Sequence, residues 1–183
     1  MTVTNLQELF VEELKDIYDA ERRITKALPR MAKSASNDEL RQAFEDHLQE
    51  TDEHVARLDR IFDMLDEKPG RKICQAMVGL LEEGREMMDG GEAGAVRDAG
   101  MICAAQKIEH YEMATYGCLR DWARTLDYGD AAEELQRTIE EERAADKTLS
   151  KIAKSLNESA VSGSEDEEGE PVMVRRTRNH RSR

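Results

Sequence analysis

Aromatic residues supply only 4% of this 183-residue chain, and proline occurs three times. Glu, Ala, Arg and Leu are abundant instead, a composition suited to packed helices, and so few prolines leave long periodic stretches uninterrupted. No run is long and apolar enough to span a bilayer, and no signal peptide precedes Thr4. Cys74, Cys103 and Cys118 are an odd number without metal-ligand spacing. They read as free or buried thiols of a reducing compartment, which makes the cytoplasm the expected location. Positive charge is also short: 27 Lys and Arg stand against 40 Asp and Glu, a net charge of −13. A body so acidic is not expected to bind nucleic acid. The length fits one domain with a continuous core.

What is abundant is helical periodicity. Thr4 followed by Gln7 forms a capping-box start, and the first helix runs to about Lys33, with Pro29 expected to kink or weaken its last turn. Ser36-Asn37-Asp38 turns into a second helix over about 38–66, closed by Pro69-Gly70. A shorter segment follows at 72–88, and Gly90, Gly91 and Gly94 break the chain again. The third long helix spans about 95–126, and a turn at Tyr128-Gly129-Asp130 leads into the fourth, which ends near Asn157. Roughly thirty residues separate the second and third long helices, enough for a crossover along a bundle, as ferritin-like folds require between their two helix pairs. The expected architecture is therefore all-α: a ferritin-like four-helix bundle over residues 1–158, with a short helix in the crossover between helices two and three.

From Ser159 the pattern changes. Glu165, Asp166, Glu167, Glu168 and Glu170 are followed by Arg175, Arg176, Arg178, Arg181 and Arg183, so the charges of 159–183 cancel and the helical body carries the whole excess. This segment reads as a disordered acidic-then-basic tail that keeps the protein soluble. The alternative is that its Arg block docks on an anionic partner such as nucleic acid.

Each long helix sets a carboxylate in or beside its apolar stripe. Glu21 sits among Leu6, Phe10, Ile17, Ile24 and Leu28; Glu109, with Glu112 beside it, among Ile102, Ala105, Met113 and Tyr116; Glu142, with Asp146 nearby, among Leu135, Thr138, Ala145 and Leu149. On the second helix Glu50, His47 and His54 flank Phe44, Leu48, Val55, Leu58 and Phe62. Burying a lone carboxylate costs several kcal/mol, so it must neutralise, pair or bind a cation. Converging carboxylates cannot pair with one another, whereas a shared divalent metal pair satisfies all of them, as in carboxylate-bridged bundles.

A helical wheel at 100° per residue separates ligands from surface charge. Glu142 falls within about 10° of its stripe centre, while Glu140 and Glu141 point well away. Di-iron bundles commonly use Glu-x-x-His, but the residue three after Glu50 is Glu53, on the solvent side. His54 shares the inner face with Glu50, and His47 is also inside, one turn earlier; the Glu50–His54 pair is preferred, with Glu53 and His47 in reserve. The expected metal set is Glu21, Glu50, His54, Glu109, Glu112, Glu142 and Asp146. Its hard oxygen donors suit a dinuclear iron or manganese centre, with peroxide or O₂ as the small reactant. Glu13 also faces inward and is expected to form an intersubunit or intrahelical pair with a basic residue; Tyr18, Tyr111 and Tyr116 are read as packing residues near the site. A competing reading is a non-catalytic helical interaction protein, its inward carboxylates met by Arg22, Arg23, Lys107 or Arg120.

Several segments together resemble one family. Residues 14–21 (LKDIYDAE), 47–51 (HLQET), 74–83 (CQAMVGLLEE), 108–112 (IEHYE) and 141–146 (EERAAD) are similar to the YciF/YciE-like stress proteins of bacteria, in order, over about residues 4–157. The resemblance implies a ferritin-like fold and a rubrerythrin-like dinuclear metal site carried by Glu21, Glu50, Glu109, Glu112 and Glu142. This sequence departs from the usual pattern in having no Glu-x-x-His on helices two and four. Apolar positions at Leu9, Leu14, Leu119, Met77, Leu80 and Leu81 are expected on the outside, and with the resemblance and the frequency of two-fold pairs they favour a homodimer.

Overall fold

The computed structural model describes residues 3–162, which form five helices and, among themselves, no strand. These are α1 (Leu6–Ser34), α2 (Asp38–Met64), α3 (Gln75–Asp89), α4 (Ala95–Thr125) and α5 (Gly129–Ser162). The element order is as the periodicity predicts, four long helices with a short one between the second and third. α1 packs on α2 and α4, and α5 packs on α4 and α2, so the long helices enclose one core; α3 lies on α1 and α4. Phe10, Leu14, Leu58, Ile61, Leu119 and Leu135 are among the residues that fill it. No helix among the described residues is long and apolar enough to cross a membrane.

The helix ends differ from the sequence expectation for local reasons. α1 is capped by Asn5, not Thr4: Asn5 Oδ1 accepts from the Glu8 amide at 2.8 Å, and Glu8 Oε2 accepts from the Thr4 amide at 2.8 Å. The reciprocal box exists, one residue further along, because Asn5 and Glu8 match it better than Thr4 and Gln7. Pro29 does not end α1, which continues to Ser34 with Met31 and Ala32 buried beyond it, so packing holds the last turn. α2 stops at Met64, where Asp66 takes a left-handed conformation (φ 53°) and Glu67 donates back to the Phe62 carbonyl at 3.0 Å. Asp127 (φ 61°) ends α4 in the same way. α5 runs past Asn157 to Ser162, so the boundary expected at 158 falls inside a helix. The acidic-then-basic segment 163–183 lies outside the described residues.

α3 starts at Gln75 rather than Lys72, because Cys74 supplies the cap, its Sγ accepting from the Met77 amide at 3.3 Å, while Lys72 reaches the Glu12 carbonyl at 3.0 Å. The crossover helix finds its second apolar surface on its own bundle. Met77, Leu14 and Leu119, expected on the outside, are each fully buried, while Leu80 and Leu81 pack partly buried against the core.

The α1–α2 corner is tied to α4. Asp98, fully buried, accepts from the backbone amides of Ser36 (3.0 Å) and Asn37 (2.7 Å), and Arg97 donates to the Ser34 carbonyl at 2.6 Å. This clamp fixes how far α1 and α2 stand along α4, and therefore which of their turns face each other in the middle of the core.

Candidate metal centre

At that level six ionisable side chains converge, all buried: Glu21 from α1, His47 and His54 from α2, Glu109 and Glu112 from α4, and Glu142 from α5. They form two groups. His47, Glu109, Glu112 and Glu142 bring one donor atom each to within 4.8 Å of one another, and so do Glu21, His54 and Glu142. Glu142 belongs to both and lies between them. His54 Nδ1 is 3.0 Å from Glu142 Oε1 and 3.4 Å from Glu21 Oε1; His47 Nε2 is 3.4 Å from Glu109 Oε1 and 3.8 Å from Glu142 Oε2. Seven residues separate the two histidines, two helical turns, so both rings project from one face of α2. Glu109 and Glu112 share a face at i, i+3.

Each histidine turns its other ring nitrogen to an outer carboxylate. His54 Nε2 is 2.9 Å from Glu141 Oε2; Arg57 holds Glu141 with two hydrogen bonds and also donates to Thr138 Oγ1 at 3.1 Å. His47 Nδ1 is 3.3 Å from Glu50 Oε2. An outer carboxylate on one imidazole nitrogen holds a proton there, so that on deprotonation the inward nitrogen would present its lone pair, the arrangement around metal-bound histidines. On the α1 side the Tyr116 hydroxyl donates to Glu21 Oε1.

The electrostatics are those of a crowded acidic core. Burial, then the neighbouring Glu142 and Glu21 carboxylates, push Glu109 and Glu112 well above the usual carboxylate range. Burial works to raise Glu142 too, but His54 and His47 hold it below that range. For His54, burial lowers the pKa, yet the Glu21 and Glu142 carboxylates outweigh it and lift it to about 11. Even with these contacts, Glu21 Oε2, Glu109 Oε2 and both oxygens of Glu112 and of Glu142 have no hydrogen-bond partner among the described residues. Buried acceptors in that state cost of order 1–3 kcal/mol each, more when charged. A cation among them removes the cost, and a mixed carboxylate–imidazole donor set fits a divalent transition metal.

Of the residues expected from the sequence, Glu21, His54, Glu109, Glu112 and Glu142 are brought together. Glu50 is not in either group; its side chain is 45% exposed and touches only the outer nitrogen of His47. Asp146 accepts from Gln106 at 2.9 Å and sits near His110, also outside both groups. His47, held in reserve, is inside, while Glu53 is exposed and paired with Arg60 at 3.0 Å. Glu13 pairs with Lys72 at 3.5 Å, a residue of the same chain between α2 and α3, rather than within its own helix or across a subunit boundary. Tyr111 meets Asp16 and Cys74, each at 3.1 Å, and Tyr18 packs edge-on to Phe62. Cys74 is buried, and Cys103 and Cys118 are exposed free thiols.

The basic residues that would neutralise the core in a metal-free protein lie elsewhere: Arg23 on Asp19, Lys107 on Glu83, Arg120 on Gln136 and Asp121, and Arg22 over the Tyr18 ring. The pair that sequence reasoning missed is Arg57 and Glu141, the latter read as pointing away. An arginine directly before Leu58 in a buried stripe was the available signal, since a buried guanidinium requires a partner.

A family model described as Domain of unknown function (DUF892) matches residues 5–162. Protein YciF of Escherichia coli K12 is 42% identical over 154 residues, covering 84% of this chain and 93% of its own. The crystal structure of the E. coli stress protein YciF superposes with a TM-score of 0.83 at 41% identity, over 85% of this chain and 99% of that one. YcfI of Rhodopseudomonas palustris gives 0.78 at 39% identity, over 81% and 94%. A Xanthomonas campestris protein at 17% identity shares the fold, with a TM-score of 0.71 over 88% and 99%.

Proposed function

This chain belongs to the DUF892 family and is a homologue of the stress protein YciF, and we propose that it is a ferritin-like stress-response protein whose core holds a dinuclear iron or manganese centre. In this reading Glu21 and His54 serve one metal, His47, Glu109 and Glu112 the other, and Glu142 both. The observation that carries it is the set of buried carboxylate oxygens on Glu21, Glu109, Glu112 and Glu142 that accept no hydrogen bond from the described residues. Once bound, the metal pair would supply the electrons for reducing peroxide or O₂. The chain's own part is to hold the donors in place. Glu141 and Glu50 orient the two imidazoles, Tyr116 fixes one Glu21 oxygen, and the surrounding apolar residues keep bulk water out.

The competing reading, a metal-free interaction protein, requires the chain's own cations to neutralise the core. Supporting the metal reading, Arg22, Arg23, Lys107 and Arg120 are all occupied away from it. The test is a titration with Fe(II) or Mn(II). The Glu109→Ala/Glu142→Ala double variant should lose stoichiometric binding, and a double variant that binds the wild-type amount contradicts the assignment.

A further inference from the structure

A cavity of about 160 Å³ runs between α2 and α5. Ala43 and Phe44 of α2 and Ala144, Ala145 and Leu149 of α5 form its apolar wall, Asp46 and Glu50 are exposed at its mouth, and His47 and Glu109 lie at its floor. Glu109 is 3% exposed, and its Oε2 has no hydrogen-bond partner, so an unsatisfied buried acceptor lies at the inner end of the cavity. The depressions between α1 and α3, beside the α1 N-terminus, on the α4–α5 face and at the α4–α5 turn contain none of the six core donors.

We infer that this cavity is the entry route to the core, admitting a divalent cation and, after it, a small reactant such as peroxide. The inference rests on the metal reading above and adds a path to it. Three alanines line the wall where larger side chains would close the space, since packed interiors leave few voids larger than a water molecule. The volume holds several waters, enough to pass a small hydrated species. Asp46 and Glu50 give the mouth a negative field that concentrates cations, and Glu50 reaches the outer nitrogen of His47, the first donor inside.

The consequence is kinetic and separable from affinity. Ala43 and Ala145 are half-buried and touch no core donor by an ion pair or hydrogen bond, so Ala43→Leu/Ala145→Leu narrows the route without removing a ligand. Cobalt(II) uptake by the metal-free full chain, followed by its visible absorbance in stopped flow, reads the rate; the final amplitude reads the stoichiometry. Because close-packed walls admit an ion only by moving, the double variant should load about tenfold more slowly to the same final amplitude. Ala27→Leu, in the groove between α1 and α3, should load at the wild-type rate. Asp46→Asn leaves the wall intact and should slow loading several-fold at low salt, a difference that disappears at high salt. A plugged variant that loads at the wild-type rate with full amplitude overturns the route while leaving the centre in place. Wild-type protein that takes up no cobalt overturns the centre and the route together. A plugged variant that misfolds would be recognised by lost amplitude, and the Asp46→Asn result then decides: no slowing at low salt overturns the route.

Discussion

Glu142 is the residue on which both halves of the core depend, and the histidines around it are the sharpest point of discrimination. His47 and His54 each offer an inward nitrogen to carboxylates, whereas Glu53, one residue from His54, is exposed and bound to Arg60. His47→Ala and His54→Ala should each weaken metal binding about 10-fold or more, and Glu53→Ala should leave it unchanged. Isothermal titration with Mn(II) separates them; equal losses in all three would mean that α2 is rotated relative to this description. A second consequence concerns protons. In the metal-free protein Glu109, Glu112 and His54 all hold protons more tightly than in the unfolded chain. The stability they add is complete below their unfolded pKa values and is lost as pH rises, for His54 through about 11. Glu141 and Glu142 act in the opposite sense, but their window lies below the ordinary carboxylate value and closes at acid pH. The melting temperature of metal-free protein should therefore fall between about pH 6 and pH 9, and a rise would contradict this account of the core. Metal binding displaces those protons, so affinity should move the other way, strengthening as pH rises.

At the scale of elements, the clamp from Asp98 to the α1–α2 corner is where one side chain sets the geometry of three helices. Asp98→Ala leaves the buried amides of Ser36 and Asn37 without an acceptor and should cost about 1–3 kcal/mol in urea unfolding. A cost near zero would show that water replaces the carboxylate. The same scale shows how far the sequence could be read. On α5 the apolar stripe and the ligand coincide: Leu135, Thr138, Glu142 and Leu149 are all buried, so the wheel picks Glu142 out of the Glu140–Glu142 run. On α2 it does not. The line that faces the core runs through Leu40, Phe44, His47, Thr51, His54, Leu58 and Ile61, and polar residues occupy its middle. Leu48 and Val55, which a hydrophobic wheel takes as part of the stripe, are only partly buried, and weighting by them brings Glu50 onto the inner face alongside His47 and His54. A functional core is where hydrophobic patterning misleads, because the ligands displace the apolar residues that define the pattern. Glu141 was lost for a related reason. Its contact to His54 and Arg57 depends on how α2 and α5 lie against each other, which a single helix wheel does not contain.

For the whole molecule, the balance is between a strongly acidic chain and a core that concentrates more acid. The net charge of −13 repels itself, and the core adds buried carboxylates that, among the described residues, no lysine or arginine reaches and, of the basic side chains, only the two histidines meet. The fold tolerates both because α3 seals the α1–α4 side and the four long helices close on one another, leaving few large apolar residues exposed. On the metal reading proposed above, a bound cation supplies the balancing charge. The direct test is elemental analysis of the full chain purified without chelators. The account predicts about two iron or manganese ions per chain, and a folded protein carrying no redox metal, unable to take one up, would contradict it.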